Sequence, residues 1–215
     1  MRGMAGALPC WEGMDELLAL PPSHPRDLAF AVVDLETTGM SPTAGWTKTG
    51  AFRAASEITE IGVVRMQGLV IQERFQRLCA IEGQVSGIIT RITGITGAML
   101  ADAPSFERVV LEVAPVLEGA VWVAHHAAFD GAFLKATLPQ GLWSRHRILC
   151  TKKLAQALVP ECRGYSLQKL TEHFGIVNQR AHRALQDAEA TAELLQHLLT
   201  RAEARGLDAE AFMAL

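Results

Sequence analysis

The 215-residue chain is poor in cysteine, in long apolar runs and in charge of one sign. Its four cysteines, Cys10, Cys79, Cys150 and Cys162, form no C-x-x-C pair and no regular spacing. Neither a disulfide framework nor a zinc knuckle is therefore expected, and a reducing, cytoplasmic compartment is. No apolar run approaches the roughly 18–20 residues that cross a bilayer. Glu12, Asp15 and Glu16 fall where a secretory signal would need an unbroken apolar stretch, so neither membrane insertion nor secretion is expected. Lys+Arg 20 against Asp+Glu 23 leaves a net −3, so no overall basic field exists to hold a polyanion, and any such ligand has to be gripped locally. What is present is a globular composition, 49% hydrophobic and 20% charged, in a length that suits one domain with tails.

Residues 1–26 read as an N-terminal extension, with a short helix over Glu12–Leu20 stopped by Pro21, Pro22 and Pro25. The domain spans 27–205, and 206–215 reads as a C-terminal tail. The apolar, β-prone run from Leu28 to Glu36 predicts a central strand covered on both faces. Strands over Glu57–Met66 and Leu69–Leu78 follow, joined at Gln67-Gly68 as a hairpin. Met40 to Ser56 reads as a polar loop, long for a connection between strands. Ser105 is a candidate N-cap for a helix burying Phe106, Val109, Val110, Val113 and Leu117, with Pro115 expected to bend or shorten it. Val121–Ala124 is a short buried strand leading into a helix through Phe129, Phe133 and Leu134. A strand over Arg147–Cys150, helices over Thr151–Leu158 and from Ser166 to Gly175, and a last helix over Ala184–Arg205 complete the pattern. Antiparallel strands early and strand–helix units later predict an α/β fold, a mixed sheet clad by helices.

The chemistry gathers at element ends. Asp34 and Glu36 close the first strand, and the period-two pleat puts them on one face a few ångströms apart. At an open strand end water can solvate such a pair. At the end of a buried central strand a hard divalent cation is the cheaper solution. Asp130 falls at the opening of a helix, with Phe133 and Leu134 on the core side at i+3 and i+4; alone, it reads equally as an acid favoured by the helix macrodipole. Asp187 lies in line with Thr191, Leu194 and Leu198, an otherwise apolar face. His182, five residues earlier, precedes the regular helix and can fold over the same site, or serve as a cap.

Taken together, D-x-E, F-D and H-x-x-x-x-D, on strand, helix start and helix, resemble the DEDDh family of 3′→5′ exonucleases, in particular its proofreading epsilon-subunit type. The likeness runs from about Leu28 to Thr200 and includes Thr59-Glu-Ile-Gly62, Thr93-Gly-Ile-Thr96 and Val123-Ala-His125. The tyrosine variant of the superfamily is disfavoured, because the only tyrosine, Tyr165, has Lys169 where Y-x-x-x-D needs Asp. The resemblance implies an RNase H-like mixed five-stranded sheet with helices on both faces. It implies that Asp34, Glu36, Asp130 and Asp187 hold two Mg²⁺ (or Mn²⁺) ions at a nucleic-acid 3′ end, with His182 as general base and 5′-mononucleotides as products. Leu35, Thr37, Thr38, His126 and Phe129 stand where family members contact the terminal nucleotide. Thr37 and Thr38 read equally as turn residues, and Phe129 as core.

Two features depart from the family pattern. His126 stands where Asn is usual, and the 40–56 loop is longer than usual. Its Trp46, Lys48 and Arg53 suit a grip on single strands, against the alternative of a solvated excursion. Arg145, His146, Arg147, Lys152 and Lys153 form a basic cluster that either steers phosphates or is a solvated edge. The four acids offset two dications, and without them the net charge is −3 + 4 = +1, so the acidic balance is no objection to a nucleic-acid substrate. Three functional expectations stand: a DNA 3′ exonuclease partnered with a polymerase, the same chemistry on RNA 3′ ends or oligoribonucleotides, and a catalytically silent nucleic-acid or polymerase-binding module.

Overall fold

A computed structural model describes residues 23–46, 48–138, 141 and 148–215. The helix expected over Glu12–Leu20, and Arg145, His146 and Arg147 of the basic cluster, lie outside the described residues.

Among the described residues seven strands occur: β1 Ala29–Thr37, β2 Gly45–Trp46, β3 Phe52–Arg53, β4 Ile58–Gln67, β5 Val70–Leu78, β6 Val121–Ala124 and β7 Ile148–Cys150. The helices are α1 Gly87–Thr93, α2 Gly97–Leu100, α3 Phe106–Leu117, α4 Ala127–Thr137, α5 Thr151–Leu158, α6 Leu167–Phe174, α7 Ala184–Ala204 and α8 Ala209–Met213. Five strands form one sheet in the order β5-β4-β1-β6-β7. The β1–β4 and β4–β5 pairs are antiparallel, whereas β1–β6 and β6–β7 are parallel. The expected mixed five-stranded sheet is the one observed.

β1 is central because both its faces are apolar. Phe30 and Val32 join Val64, Met66 and Val123 under α5, α6 and α7. Ala31, Val33 and Leu35 point the other way, into a second core with Ile61, Val63, Trp122 and residues of α3 and α4. The same alternation puts Asp34 and Glu36 on the α7 face. Residues 206–215, set apart above as a tail, carry α8, whose fully buried Phe212 meets Phe30 edge-on at 6.5 Å between ring centroids.

Three local features differ from expectation. No helix is expected from the sequence between β5 and Ser105, yet α1 and α2 lie there, and the Ser, Thr and Gly residues around them are their caps. Ser86 and Thr96 accept the Ile89 and Met99 N–H groups, and Gly94 ends α1 in the left-handed conformation. α3 continues through Pro115 to Leu117. The 40–56 segment is not a plain loop. It is a two-stranded ribbon, β2 with β3, in which Trp46 pairs Phe52 and Gly45 pairs Arg53. Aromatic pairing of the two β-forming residues across a tight excursion accounts for it.

Candidate active site

α7 approaches β4 more closely than a side chain would allow. A Cβ on Gly62 would lie 2.3 Å from the backbone carbon of Ala184 and from the nitrogen of Leu185, so only glycine admits the start of α7 here. Gly62 is the register partner of Asp34, and Glu60 that of Glu36. This docking therefore brings the first turn of α7, with Asp187, to the end of β1 that carries Asp34 and Glu36.

Glu60, fully buried on β4, secures the contact. It accepts the Ala184 N–H at 3.0 Å, Arg183 Nε at 3.0 Å and Nη2 at 2.6 Å, and Gln76 Nε2 at 2.7 Å. The N-cap residue of α7, Arg183, offers no side-chain cap. A carboxylate from the neighbouring strand caps the helix in its place, which suits both the orphan N–H groups and the positive end of the macrodipole. Burial is the largest single influence and raises the Glu60 carboxyl, but the bonds from Arg183, the Ala184 N–H and Gln76, with the Arg183 charge, together hold it below the usual glutamate range.

Asp187 is anchored at both oxygens. Asn178 Nδ2 donates to Oδ1, and the His182 N–H donates to Oδ2 at 2.9 Å. His182 adopts φ 65°, a left-handed conformation that costs a non-glycine residue about 1–2 kcal/mol. Its bond to Asp187 helps hold the turn, which leaves the imidazole exposed at the edge of the acid cluster. One ligand atom each from Glu36, His182 and Asp187 lie within 4.8 Å of one another, a spacing that can hold a metal ion.

Asp130 reaches the same place from α4. β1 pairs β6 only from Phe30 to Val32, so beyond that point its β6-facing edge is free of strand partners, and the backbone N–H of Leu35 bonds to the Asp130 carboxylate. Burial and mutual repulsion dominate the electrostatics. Burial first, then Asp130, Asp187, Glu36 and Glu60, push Asp34 well above the usual aspartate range. Glu36 is raised to about 8 by burial, then by Asp187 and Glu60, against a lowering by Arg183. Asp130 is raised to about 7, chiefly by burial. Acids this crowded cannot all ionise without a compensating cation. The donor set, all carboxylate oxygen with one imidazole at its edge, is the one that hard divalent ions prefer.

The nearby residues are engaged in different ways. The Thr37 hydroxyl donates to the Gly39 carbonyl at 2.7 Å, and that of Thr38 accepts the Glu57 N–H at 2.9 Å, so both brace the turn leaving β1. Leu35 is buried with its side chain on the face opposite Asp34. Phe129 packs on Phe133, 5.1 Å between centroids, at the margin of the core. His126 is exposed at the N-cap of α4 and lines, with Lys135, Lys152 and Lys153, a cleft of about 720 Å³. His125 belongs to the framework: its ring bonds Thr151 Oγ1 at 3.0 Å and the Tyr165 carbonyl at 3.1 Å, and burial lowers its pKa to about 4.

Residue-by-residue reading missed Glu60, Arg183 and Asn178. Glu60 and Gly62 stood inside Thr59-Glu-Ile-Gly62, and their placement opposite Glu36 and Asp34 was the available signal. Nothing local marked Asn178.

A family model described as an exonuclease matches residues 31–195. DNA polymerase III subunit epsilon of Aquifex aeolicus is 34% identical over 175 residues, covering 80% of this chain and 81% of that protein. A PolC-type DNA polymerase III of Caldanaerobacter subterraneus is 34% identical over 179 residues, 83% of this chain, yet the chain spans only 12% of that protein. Among solved structures, exonuclease X in complex with 5′-overhanging duplex DNA superposes with a TM-score of 0.65 at 27% identity, covering 86% of this chain and 98% of that one.

Proposed function

The chain belongs to the exonuclease family matched over residues 31–195, in the epsilon-like DEDDh branch, and from that premise we propose that it removes 5′-mononucleotides one at a time from the 3′ ends of DNA. The observation that carries this reading is the convergence of Asp34 and Glu36 from β1, Asp130 from α4 and Asp187 from α7 on one spot, where burial and the neighbouring acids raise the pKa of Asp34 and Glu36. Such crowding fits a pair of dications, and these four carboxylates would hold two Mg²⁺ or Mn²⁺ ions. When bound, such ions polarise a phosphodiester and make a bound water more acidic.

The chain's own residues supply position and proton transfer. His182, held at the rim by its backbone bond to Asp187, accepts the proton of the attacking water at a ring nitrogen. The new bond forms between the water oxygen and phosphorus, and the bond from phosphorus to the 3′ oxygen of the preceding nucleotide breaks. That oxygen takes a proton from solvent water as it leaves, and the products are a nucleoside 5′-monophosphate and a strand shortened by one. Glu60 and Arg183 set the angle at which α7 presents Asp187. Thr37, Thr38, His126 and Phe129 surround the position of the terminal nucleotide, and Leu35, whose side chain faces the opposite core, borders it through its backbone.

DNA is favoured over RNA because two relatives at 34% identity are named DNA polymerase III subunit epsilon and DNA polymerase III PolC-type, which also supports action beside a polymerase. The test is hydrolysis of matched 5′-labelled DNA and RNA single strands with Mg²⁺, with EDTA, and by Asp34→Ala. Stepwise shortening of DNA from its 3′ end, abolished by EDTA and by the substitution, is expected. Faster turnover of RNA would overturn the substrate assignment, and activity retained in EDTA would overturn the role given to the acids.

A further inference from the structure

The ribbon β2–β3 is an outgrowth of the active-site strand pair. The β1–β4 ladder runs to Thr37 opposite Ile58, continues through the Thr38 N–H to the Glu57 carbonyl at 2.9 Å, and then through the Ser56 N–H to the Ser41 carbonyl at 2.8 Å. The pairs Gly45–Arg53 and Trp46–Phe52 extend it. The ribbon is thus rooted at the end of the sheet where Glu36 sits. Trp46 lies ten positions after Glu36, a reach of at most about 33 Å.

Two properties of the ribbon need a reason. Trp46 is 75% and Phe52 61% exposed, although they are cross-strand partners with rings 5.5 Å apart at 71°. Two large aromatic rings thus sit together on an exposed ribbon, where a loop serving only as a connection would carry small or polar side chains. Residues 40–56 also contain Lys48 and Arg53 and no Asp or Glu, in a chain whose net charge is −3. Neither cation is in an ion pair among the described residues. Aromatic faces flanked by unopposed cations, beside a site for a nucleic-acid end, match the chemistry of a single strand: bases stack on rings while cations neutralise phosphates.

We propose that the β2–β3 ribbon is a strand-gripping finger. A single-stranded stretch upstream of the 3′ terminus lays its bases against Trp46 and Phe52, and its phosphates meet Lys48 and Arg53. The inference rests on the exonuclease reading and adds a second contact, away from the acids, that favours long single strands over very short ones.

The experiment compares the full chain with Trp46→Ala/Phe52→Ala and with Lys48→Gln/Arg53→Gln. Binding of a labelled oligothymidylate and of a thymidine dinucleotide is measured with Ca²⁺ present. Both aromatic side chains are largely exposed, so the variants should fold, which circular dichroism checks. Loss of the stack should weaken long-strand binding by about five- to a hundredfold and leave a smaller ratio between long-strand and dinucleotide affinities. Loss of both cations should reduce the slope of log affinity against log salt by about 1.4. Equal long-strand affinity in the wild type and the aromatic variant, or no binding of the long strand by the wild type, overturns the proposal. The exonuclease reading is judged separately by Mg²⁺-dependent hydrolysis: a wild type that cuts DNA while the aromatic variant binds as tightly refutes the finger alone.

Discussion

Replacing Glu36 by Gln should destroy turnover and at the same time stabilise the metal-free protein. In the fold this carboxyl is raised from 4.5 to about 8 by burial and by Asp187 and Glu60. A carboxyl raised on folding binds its proton more tightly in the native state, so its contribution favours folding below about pH 4.5 and is eroded as pH rises towards 8. Each pH unit in that window costs about 1.4 kcal/mol, or roughly 3 kcal/mol by pH 7. The neighbouring acids will take up part of the relief, so between half and all of this, about 1.5–3 kcal/mol, is the expected gain for the uncharged glutamine. For a domain of this size that is a rise in Tm of roughly 3–12 °C. Thermal unfolding in EDTA at several pH values measures it: the two curves should converge at acidic pH and separate as pH rises. With saturating Mg²⁺ the order should shrink or reverse, because an ion bound only by the folded state stabilises the wild type more. A variant no more stable than the wild type in EDTA at pH 7, or an equal gain from Mg²⁺ in both, would refute the picture of acids held together at a cost that a cation relieves.

His182→Ala should lower kcat by about 10²–10⁴ while changing strand affinity little; an equal fall in metal affinity, read by calorimetry, would show that the imidazole is a ligand and not the base. Glu60→Ala leaves Arg183 and the Ala184 N–H without their buried acceptor and should cost about 3–5 kcal/mol in denaturant unfolding, with activity lost even where the protein is folded. Gly62→Ala should push α7 off β4, with reduced Tm and reduced kcat together; wild-type kcat would show that the close approach is not needed to seat Asp187. His125, whose pKa is lowered to about 4, should contribute stability that is complete above about pH 6.5 and is lost as pH falls towards 4, and His125→Asn should flatten that part of the acid-unfolding profile.

The sheet was legible because hydrophobic pattern and pleat are local: the run into Asp34 announced a doubly covered strand, and alternation put Asp34 and Glu36 on one face before any partner was known. The cluster was legible through spacing alone, since the acids lie on three separate elements. What stayed hidden is tertiary. Arg183 gives no sign that a glutamate 123 residues earlier in the chain caps its helix, and Asn178 sits in a loop whose role is visible only once Asp187 is placed. The ribbon was read as a loop because two residues per strand are too few to show a period. The helices after β5 were missed because their capping residues looked like breaks in structure, which at a helix end they are.

The seating of α7 on β4 also bears on when the protein becomes dangerous to its host. Glu36 and Asp187 come from opposite ends of the domain, and they meet only after a late helix has been laid against an early strand through Gly62 and Glu60. A chain still leaving the ribosome, or one whose last long helix has transiently peeled away, carries every acid yet has no assembled blade. Cutting power is thereby tied to completion of the tertiary structure, a safeguard suited to an exonuclease.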